Sequence, residues 1–144
     1  MADVALDANV LVAWLDSADA LHSRAKDLLD RLRSAGDAPV FLDVCVAEAV
    51  SVTCRRARER KTRAPDLGAF LDVVVKLHGR GEITFVATLM ETRFDDVLGV
   101  VRATSGVLNV NDALLVVLQR DGEIGDLALF DAGFDVIVGF RRRS

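Results

Sequence analysis

The sequence has only two prolines and no apolar run of the length, about 18 residues, that a membrane-spanning helix needs. Its start, MADVALDANV, lacks a basic stretch followed by a long apolar one, so it does not resemble a signal peptide. About half of the 144 residues (51%) are apolar, which is enough to build a core and argues against disorder. We therefore expect one soluble, cytoplasmic domain over residues 1–144, with no membrane association.

Cysteine and histidine are also scarce, with two of each. Cys45 and Cys54 fall in one segment of predicted helix, where nine residues at about 1.5 Å each separate them by about 13 Å, beyond the reach of a disulfide. We interpret them as buried thiols. Because His22 and His78 lie near predicted turns and no Ser/His/Asp or Cys/His arrangement is recognisable, nucleophilic catalysis is not indicated.

The formal net charge is −4, which argues against a protein that coats nucleic acid through its overall charge. Two local basic segments could still contact phosphate, RRARERKTR at 55–63 and RRR at 141–143. For 55–63 we favour the simpler interpretation, a solvated helix end where the basic side chains complement the helix dipole.

Short apolar runs alternate with segments of helical spacing along the chain. The runs predict four strands and a candidate fifth, at residues 4–6, 40–42, 83–86, 127–130 and 136–138. Helical spacing, caps and turn signals predict helices at 9–15, 19–33, 43–60, 66–78, 88–103 and 113–120. This alternation indicates an α/β fold with helices on both faces of a largely parallel sheet of four to five strands. In such sheets ligands bind beyond the carboxyl ends of the strands.

Four carboxylates lie in or against apolar runs near junctions between predicted elements. Asp7 follows VAL, Asp131 follows LALF, Glu48 lies inside VCVAEAVSV and Asp112 opens DALLVVL. Carboxylates in such surroundings are rare without partners, because desolvating a charge is costly. The predicted fold can bring all four to one edge of the sheet, where they would repel one another unless a cation lay among them.

Oxygen ligands of this kind suit Mg²⁺ or Mn²⁺, which keep several waters and typically complete their coordination with substrate phosphate. The corresponding chemistry is phosphodiester hydrolysis. Each acid also has a structural interpretation: Asp7 could cap a helix, Asp112 could be a first-turn acid, and Asp131 could cap a turn. Glu48 is hardest to explain as structure, since only a salt-bridged core acid would need it there.

At these residues the sequence resembles the PIN-domain nucleases, in particular the single-domain VapC-type toxins of toxin-antitoxin pairs. The resemblance spans nearly the whole chain, through LDANVL at 6–11, AEAVSV at 47–52, NVNDALLVVL at 109–118 and LALFDAGFDVI at 127–137. It implies a three-layer α/β/α PIN-like fold and a Mg²⁺- or Mn²⁺-dependent endoribonuclease.

By the resemblance, the metal ligands and catalytic acids are Asp7, Glu48, Asp112 and Asp131. Asn9 is the small polar residue that hydrogen-bonds in the site, Asn111 is a supporting or substrate-side residue, and Asp135 could contribute if the last turn folds inward. The expected partners are RNA, a small antitoxin protein and a second copy of the chain, with a dimer interface on the helices at 9–15 and 44–54.

Several alternatives share parts of this pattern. An RNA-processing or maturation nuclease would have the same site without a toxin role, and a non-catalytic PIN-like module would only bind a partner. A signalling receiver domain is disfavoured because Asp7 stands alone beside Asn9 and no lysine follows Lys76. A DxD-type phosphatase is disfavoured because Asn9 takes the place of the second aspartate, its general acid.

Overall fold

The computed structural model describes residues 1–59 and 66–144, so residues 60–63 of the basic segment lie outside the described residues. Five strands form one sheet in this part of the chain: β1 Asp3–Leu6, β2 Ala38–Leu42, β3 Ile83–Thr84, β4 Asp126–Ala128 and β5 Arg142–Arg143. The α-helices described are α1 Ala8–Leu15, α2 His22–Ser34, α3 Asp43–Glu59, α4 Leu67–Gly79, α5 Met90–Ala103 and α6 Val110–Arg120. Two 3₁₀ turns, Ala87–Leu89 and Ala132–Val136, join them.

The sheet is parallel throughout, with the strand order β3-β2-β1-β4-β5. Central β1 pairs Val4 with Pro39 of β2 on one side and with Asp126 of β4 on the other. Val4, Ala5 and Leu6 are all buried, as expected of a strand covered on both faces. The chain extends from β1 first towards β3 and later towards β5, so the order reverses between β1 and β4, which is where such sheets bind ligands.

The helices complete the predicted three-layer α/β/α arrangement. Helix α1 packs against α2 and α3, and α5 packs against α6. In α6 every residue from Ala113 to Gln119 is buried, so this helix is part of the core. Buried apolar side chains of α1, from Val10 to Ala13, join the same core. The apolar surface that we expected α1 to offer to a second copy of the chain is therefore already covered within one chain.

The predicted fifth strand at 136–138 is wrong. Val136 and Val138 are 53% and 100% exposed, and Gly139 turns the chain with a φ of 78°. Strand β5 forms instead at Arg142–Arg143, where Leu127 pairs with Arg142. An arginine pair gives no apolar strand signal, and this edge strand is held by its backbone and by ion pairs, so the sequence pattern favoured the wrong segment.

Other boundaries differ by a few residues for local reasons. Strand β3 ends at Thr84, not at residue 86, because the Asp43 carboxylate accepts hydrogen bonds from the backbone N–H groups of Val86 (2.8 Å) and Ala87 (3.2 Å). Helix α2 begins at His22, not at residue 19, because Asp19 accepts from the backbone N–H of Leu21 and forms a turn.

Both cysteines are free thiols, as predicted; Cys45 is buried as expected, whereas Cys54 is only half-buried. None of the helices in the described ranges combines the length and the apolar character that crossing a membrane would require.

Candidate metal centre at the carboxyl edge of the sheet

Asp7 occupies the junction between β1 and α1. Its backbone N–H donates to the Ala128 carbonyl of β4 (2.9 Å), which extends the sheet to the end of the strand, and its carbonyl accepts from the Leu11 N–H to start the helix. Its side chain makes no capping hydrogen bond, although it stands at the N-cap position. The residue is only 8% exposed. By this geometry the carboxylate does not cap α1, although it lies close enough to the N–H groups of Ala8 and Asn9 for them to influence its ionisation.

The pKa of Asp7 is raised from 3.8 to about 6. Burial is the main cause, because it disfavours the charged form, and the nearby charges of Glu48 and Asp112 add to it. The backbone N–H groups of Ala8 and Asn9, at the start of α1, act in the opposite direction and lower the pKa.

Glu48 lies five residues into α3, which starts directly after β2 and so carries the side chain to the same edge. It is half-buried and forms no hydrogen bond or ion pair within residues 1–59 and 66–144. Burial raises its pKa, and the charge of Asp112 raises it further. The alternative of a salt-bridged core acid is thus not what the structure shows.

Asp112 has both a structural and an electrostatic role. It is the third residue of α6 and forms a capping box with Asn109, whose side chain accepts from the Asp112 N–H (2.9 Å) while Asp112 accepts from the Asn109 N–H (3.3 Å). Burial raises the pKa of Asp112, the Asn109 N–H lowers it, and the charge of Asp131 raises it. Asp112 is therefore an acid of the first turn of α6, as its structural interpretation held. That role does not explain why other carboxylates lie near it.

Asp131 lies just beyond β4. It is exposed and caps the 3₁₀ turn Ala132–Val136, where it accepts from the Gly133 N–H (2.8 Å). Its effect on the pKa of Asp112 places it in the same electrostatic neighbourhood as the other acids.

The four predicted acids therefore lie close enough to influence one another's ionisation. The charges of Glu48 and Asp112 raise the pKa of Asp7. The charge of Asp112 raises the pKa of Glu48, and the charge of Asp131 raises the pKa of Asp112. The buried Cys45 thiol responds to the same field: burial raises its pKa well above the usual value, and Asp7 and Glu48 raise it further. No lysine or arginine of the described ranges forms an ion pair with any of the four acids. We name these four residues the acid cluster.

The donor set has the chemistry of a hard divalent cation site, because it consists of carboxylate oxygens without thiolate or imidazole donors. The uncompensated negative charge of the carboxylates would attract a cation to this position. The side chains are not gathered tightly, however. Among the residues that the structure describes, no three His, Cys, Asp or Glu side chains stand close enough to share one ion. An ion bound between them would thus contact some carboxylates directly and others through water, as Mg²⁺ commonly does.

The supporting residues divide into two groups. Asn9 and Asn111 are exposed beside the acid cluster, and Asn9 shares a surface cleft with Asp131. Asp135 instead forms an ion pair with Arg142 (2.9 Å), which directs it to β5.

Several arginines of the two basic segments form ion pairs within the chain. Each arginine of 141–143 is paired with a carboxylate: Arg141 and Arg143 with Asp126, and Arg142 with Asp135. In the segment 55–63, Arg56 binds Asp19 (2.6 Å) and Asp16 (3.2 Å), and residues 60–63 lie outside the described ranges. The arginines at 141–143, one of the two segments that could contact phosphate, are thus each engaged in an ion pair within the chain.

Sequence reasoning missed one feature of this edge, the contact between Arg24 and Phe130. The Arg24 guanidinium carbon lies 4.4 Å from the centre of the Phe130 ring. The only signal was an aromatic residue directly before Asp131 in the run LALFD.

An all-parallel sheet with an acid cluster at its reversal point defines a class of α/β proteins that bind their ligands at this edge. The PIN domain pattern matches residues 4–137, which is nearly the whole chain. The chain belongs to the PIN domain family.

Two solved structures are similar over almost their full length. VapBC2 from Rickettsia felis, crystallised with a DNA fragment from its promoter, has a TM-score of 0.64 and 11% identity, covering 98% of this chain and 97% of that one. VapC20 from Mycobacterium tuberculosis, described as a sarcin-ricin loop cleaving toxin, has a TM-score of 0.62 and 20% identity, covering 95% of each chain. At these identities the likeness shows the fold. No curated protein sequence matches the chain.

Proposed function

We propose that this PIN domain protein is a metal-dependent endoribonuclease whose site is the acid cluster Asp7, Glu48, Asp112 and Asp131. The observation that carries the proposal is the placement of these acids at the reversal point of the sheet, where they raise one another's pKa and form no ion pair with a described lysine or arginine. Repulsion within such a cluster destabilises the fold unless a cation offsets the negative charge. Mg²⁺ or Mn²⁺ is the cation that fits a site of carboxylate oxygens.

Asp7, Glu48, Asp112 and Asp131 would hold the ion together, some by direct contact and the others through water, since no three of them stand close enough to share it directly. When bound, the divalent ion supplies an activated water and neutralises charge on the phosphate. Asn9 and Asn111, exposed beside the acids, would hydrogen-bond the substrate or ordered water. The capping box holds Asp112 in place, because Asn109 fixes the backbone of the first turn of α6.

Cleavage of a mixed pool of single-stranded and looped RNA tests this proposal. We expect hydrolysis with Mg²⁺ or Mn²⁺ and none with EDTA. A Glu48→Gln variant keeps the shape of the side chain but removes its charge, and should lose cleavage. The matched control is Glu91→Gln, an exposed acid in the first turn of α5, which should cleave as the parent does. Cleavage that persists undiminished in EDTA would overturn the proposal.

We further propose that the nuclease is the cytoplasmic toxin of a type II toxin-antitoxin pair, with a small antitoxin and a second copy of the chain as partners. The similarity in fold to VapBC2 and to VapC20 supports this role. An antitoxin that places an arginine against the acid cluster would supply the cation that the described residues lack.

Purification of the protein expressed with its neighbouring genes tests the partners. We expect a small second protein to co-purify and the mass of the assembly to correspond to at least two copies of this chain. A monomer that purifies alone, from a locus without a small adjacent gene, would instead favour a processing or maturation nuclease. Absence of RNA cleavage together with a stable protein partner would favour a non-catalytic binding module.

A further inference from the structure

A cleft of about 500 Å³ opens beside the acid cluster, and its wall includes Asn9, Leu21, Arg56, Phe130 and Asp131. Its volume lies within the range of about 300–1,000 Å³ that is typical of small-ligand sites. Because Asp131 belongs to both the cleft and the acid cluster, and Asn9 of the cleft wall lies two residues after Asp7, a substrate bound at the acid cluster would have its neighbouring group beside this cleft.

Phe130 is a half-buried aromatic ring in the cleft wall. The Arg24 guanidinium packs over the ring, 4.4 Å from its centre, in a cation–π contact that holds the ring in one orientation. The first turn of α2, which carries Arg24, is anchored because the His22 Nδ1 lies 2.8 Å from the Ala13 carbonyl of α1. The ring is therefore a fixed surface.

The charge in the cleft suits a neutral group better than a phosphate. The positive charge of Arg56 is engaged by Asp19 (2.6 Å) and Asp16 (3.2 Å), so it is not left over for an anion. The other described residues of the wall combine the apolar side chains of Val12, Ala20, Leu21 and Phe130 with the amide of Asn9 and the carboxylates of Asp19 and Asp131, which disfavour a phosphate. A planar ring with polar edges matches such a surface, because it can stack on the aromatic face and hydrogen-bond at its rim.

We propose that this cleft binds the unpaired base of a nucleotide adjoining the phosphate that is cleaved, with Phe130 as its stacking surface. The proposal deepens the ribonuclease function above and rests on it. Because a base must leave its helical stack to reach the ring, the substrate is single-stranded or looped RNA. Phe130 touches the substrate, whereas Arg24 is a positioning residue that acts through the ring.

The test measures binding, so that it does not depend on cleavage. The affinity of short single-stranded RNAs for the Glu48→Gln protein is followed by fluorescence anisotropy in saturating Mn²⁺, where this variant should bind RNA without cleaving it, with one abasic nucleotide placed at each position in turn. We expect one position at which the abasic substitution weakens binding about tenfold, a loss within the range for one base stacked on an aromatic side chain. In the double variant Glu48→Gln/Phe130→Leu the penalty at that position should fall below about twofold.

Phe94→Leu in the same background is the matched control, because Phe94 is an exposed ring (48%) on α5 outside the cleft wall; it should keep the tenfold penalty. Arg24→Gln changes an exposed side chain and leaves the ring in place, so it separates stacking from folding, and it should reduce the penalty in part.

An abasic profile that Phe130→Leu and Arg24→Gln leave unchanged would overturn the base site while the ribonuclease proposal stands. Loss of antitoxin binding in these variants with unchanged RNA binding would assign the cleft to a protein and also overturn it. No RNA binding by any variant would refute both proposals.

Discussion

Asp7 and Glu48 carry negative charge at positions where the fold does not use it. Asp126 shows the contrast within the same molecule, because Arg143 and Arg141 hydrogen-bond its carboxylate and lower its pKa. Asp126 thus has cationic partners that stabilise its charged form. The pKa of Asp7 and of Glu48 is raised, which means that the folded chain stabilises their neutral forms.

Replacement of Asp7 by Asn should stabilise the metal-free protein in a pH-dependent manner. Because the folded pKa of about 6 lies above the ordinary value of 3.8, the folded state takes up a proton between these values, and the ionised carboxylate destabilises the fold above about pH 6. We expect the variant to gain up to about 3 kcal/mol in the free energy of unfolding at about pH 7.5 and almost nothing near pH 4. Urea unfolding in EDTA at the two pH values measures this. An unchanged or less stable variant at the higher pH would contradict it.

For single residues, the sequence pattern predicted which acids form the site, but it did not predict which side chains contact one another around it. Glu48 could be singled out because no local backbone role needs a carboxylate inside VCVAEAVSV. The pairing of Asp135 with Arg142 and the packing of Arg24 on Phe130 could not be predicted, because each depends on where a turn places side chains that are unrelated in the pattern.

Helix α6 joins the core to the site, since its buried face fills the interior and its first turn presents Asp112. The capping box of Asn109 and Asp112 links these two roles, because it starts the buried helix and fixes the backbone that carries the Asp112 carboxylate. Asn109 to Ala should remove the side-chain cap and cost about 1 kcal/mol of stability. It should also slow cleavage, because the backbone that carries Asp112 is no longer fixed. Thermal unfolding and initial cleavage rates measure the two effects.

Asn109→Ser is the control for this prediction, because serine is also a good N-cap residue and should preserve both stability and cleavage. If the alanine variant were as stable and as active as the parent, the capping box would have no part in positioning Asp112.

At the level of elements, long periodic segments were predicted well and short edge strands were not. All six described helices lie within the predicted segments to within a few residues, because an apolar face repeats along each of them. Strand β5 contains only two residues, both arginines, and is defined by pairing with β4 that no local pattern encodes. Strand β3 was overestimated because the Asp43 carboxylate takes up the backbone N–H groups that a longer strand would use.

For the molecule as a whole, charge decides how a nucleic acid could be bound. The net charge is −4, and the arginines at the carboxyl terminus are engaged with Asp126 and Asp135. Long-range attraction to phosphate is therefore weak. A cation in the acid cluster would offset much of the negative charge where the substrate phosphate has to lie, which makes metal binding the central claim of this account.

Isothermal titration of Mn²⁺ into the purified protein tests that claim most directly. We predict saturable binding to the parent and to Glu91→Gln, and binding at least about tenfold weaker to Glu48→Gln, whose charge is lost at constant shape. Binding to the folded state alone should also stabilise the parent by about 2.7 kcal/mol at a hundredfold excess over Kd. A parent protein that binds no Mn²⁺, or a Glu48→Gln variant that binds it as tightly as the parent, would contradict the account.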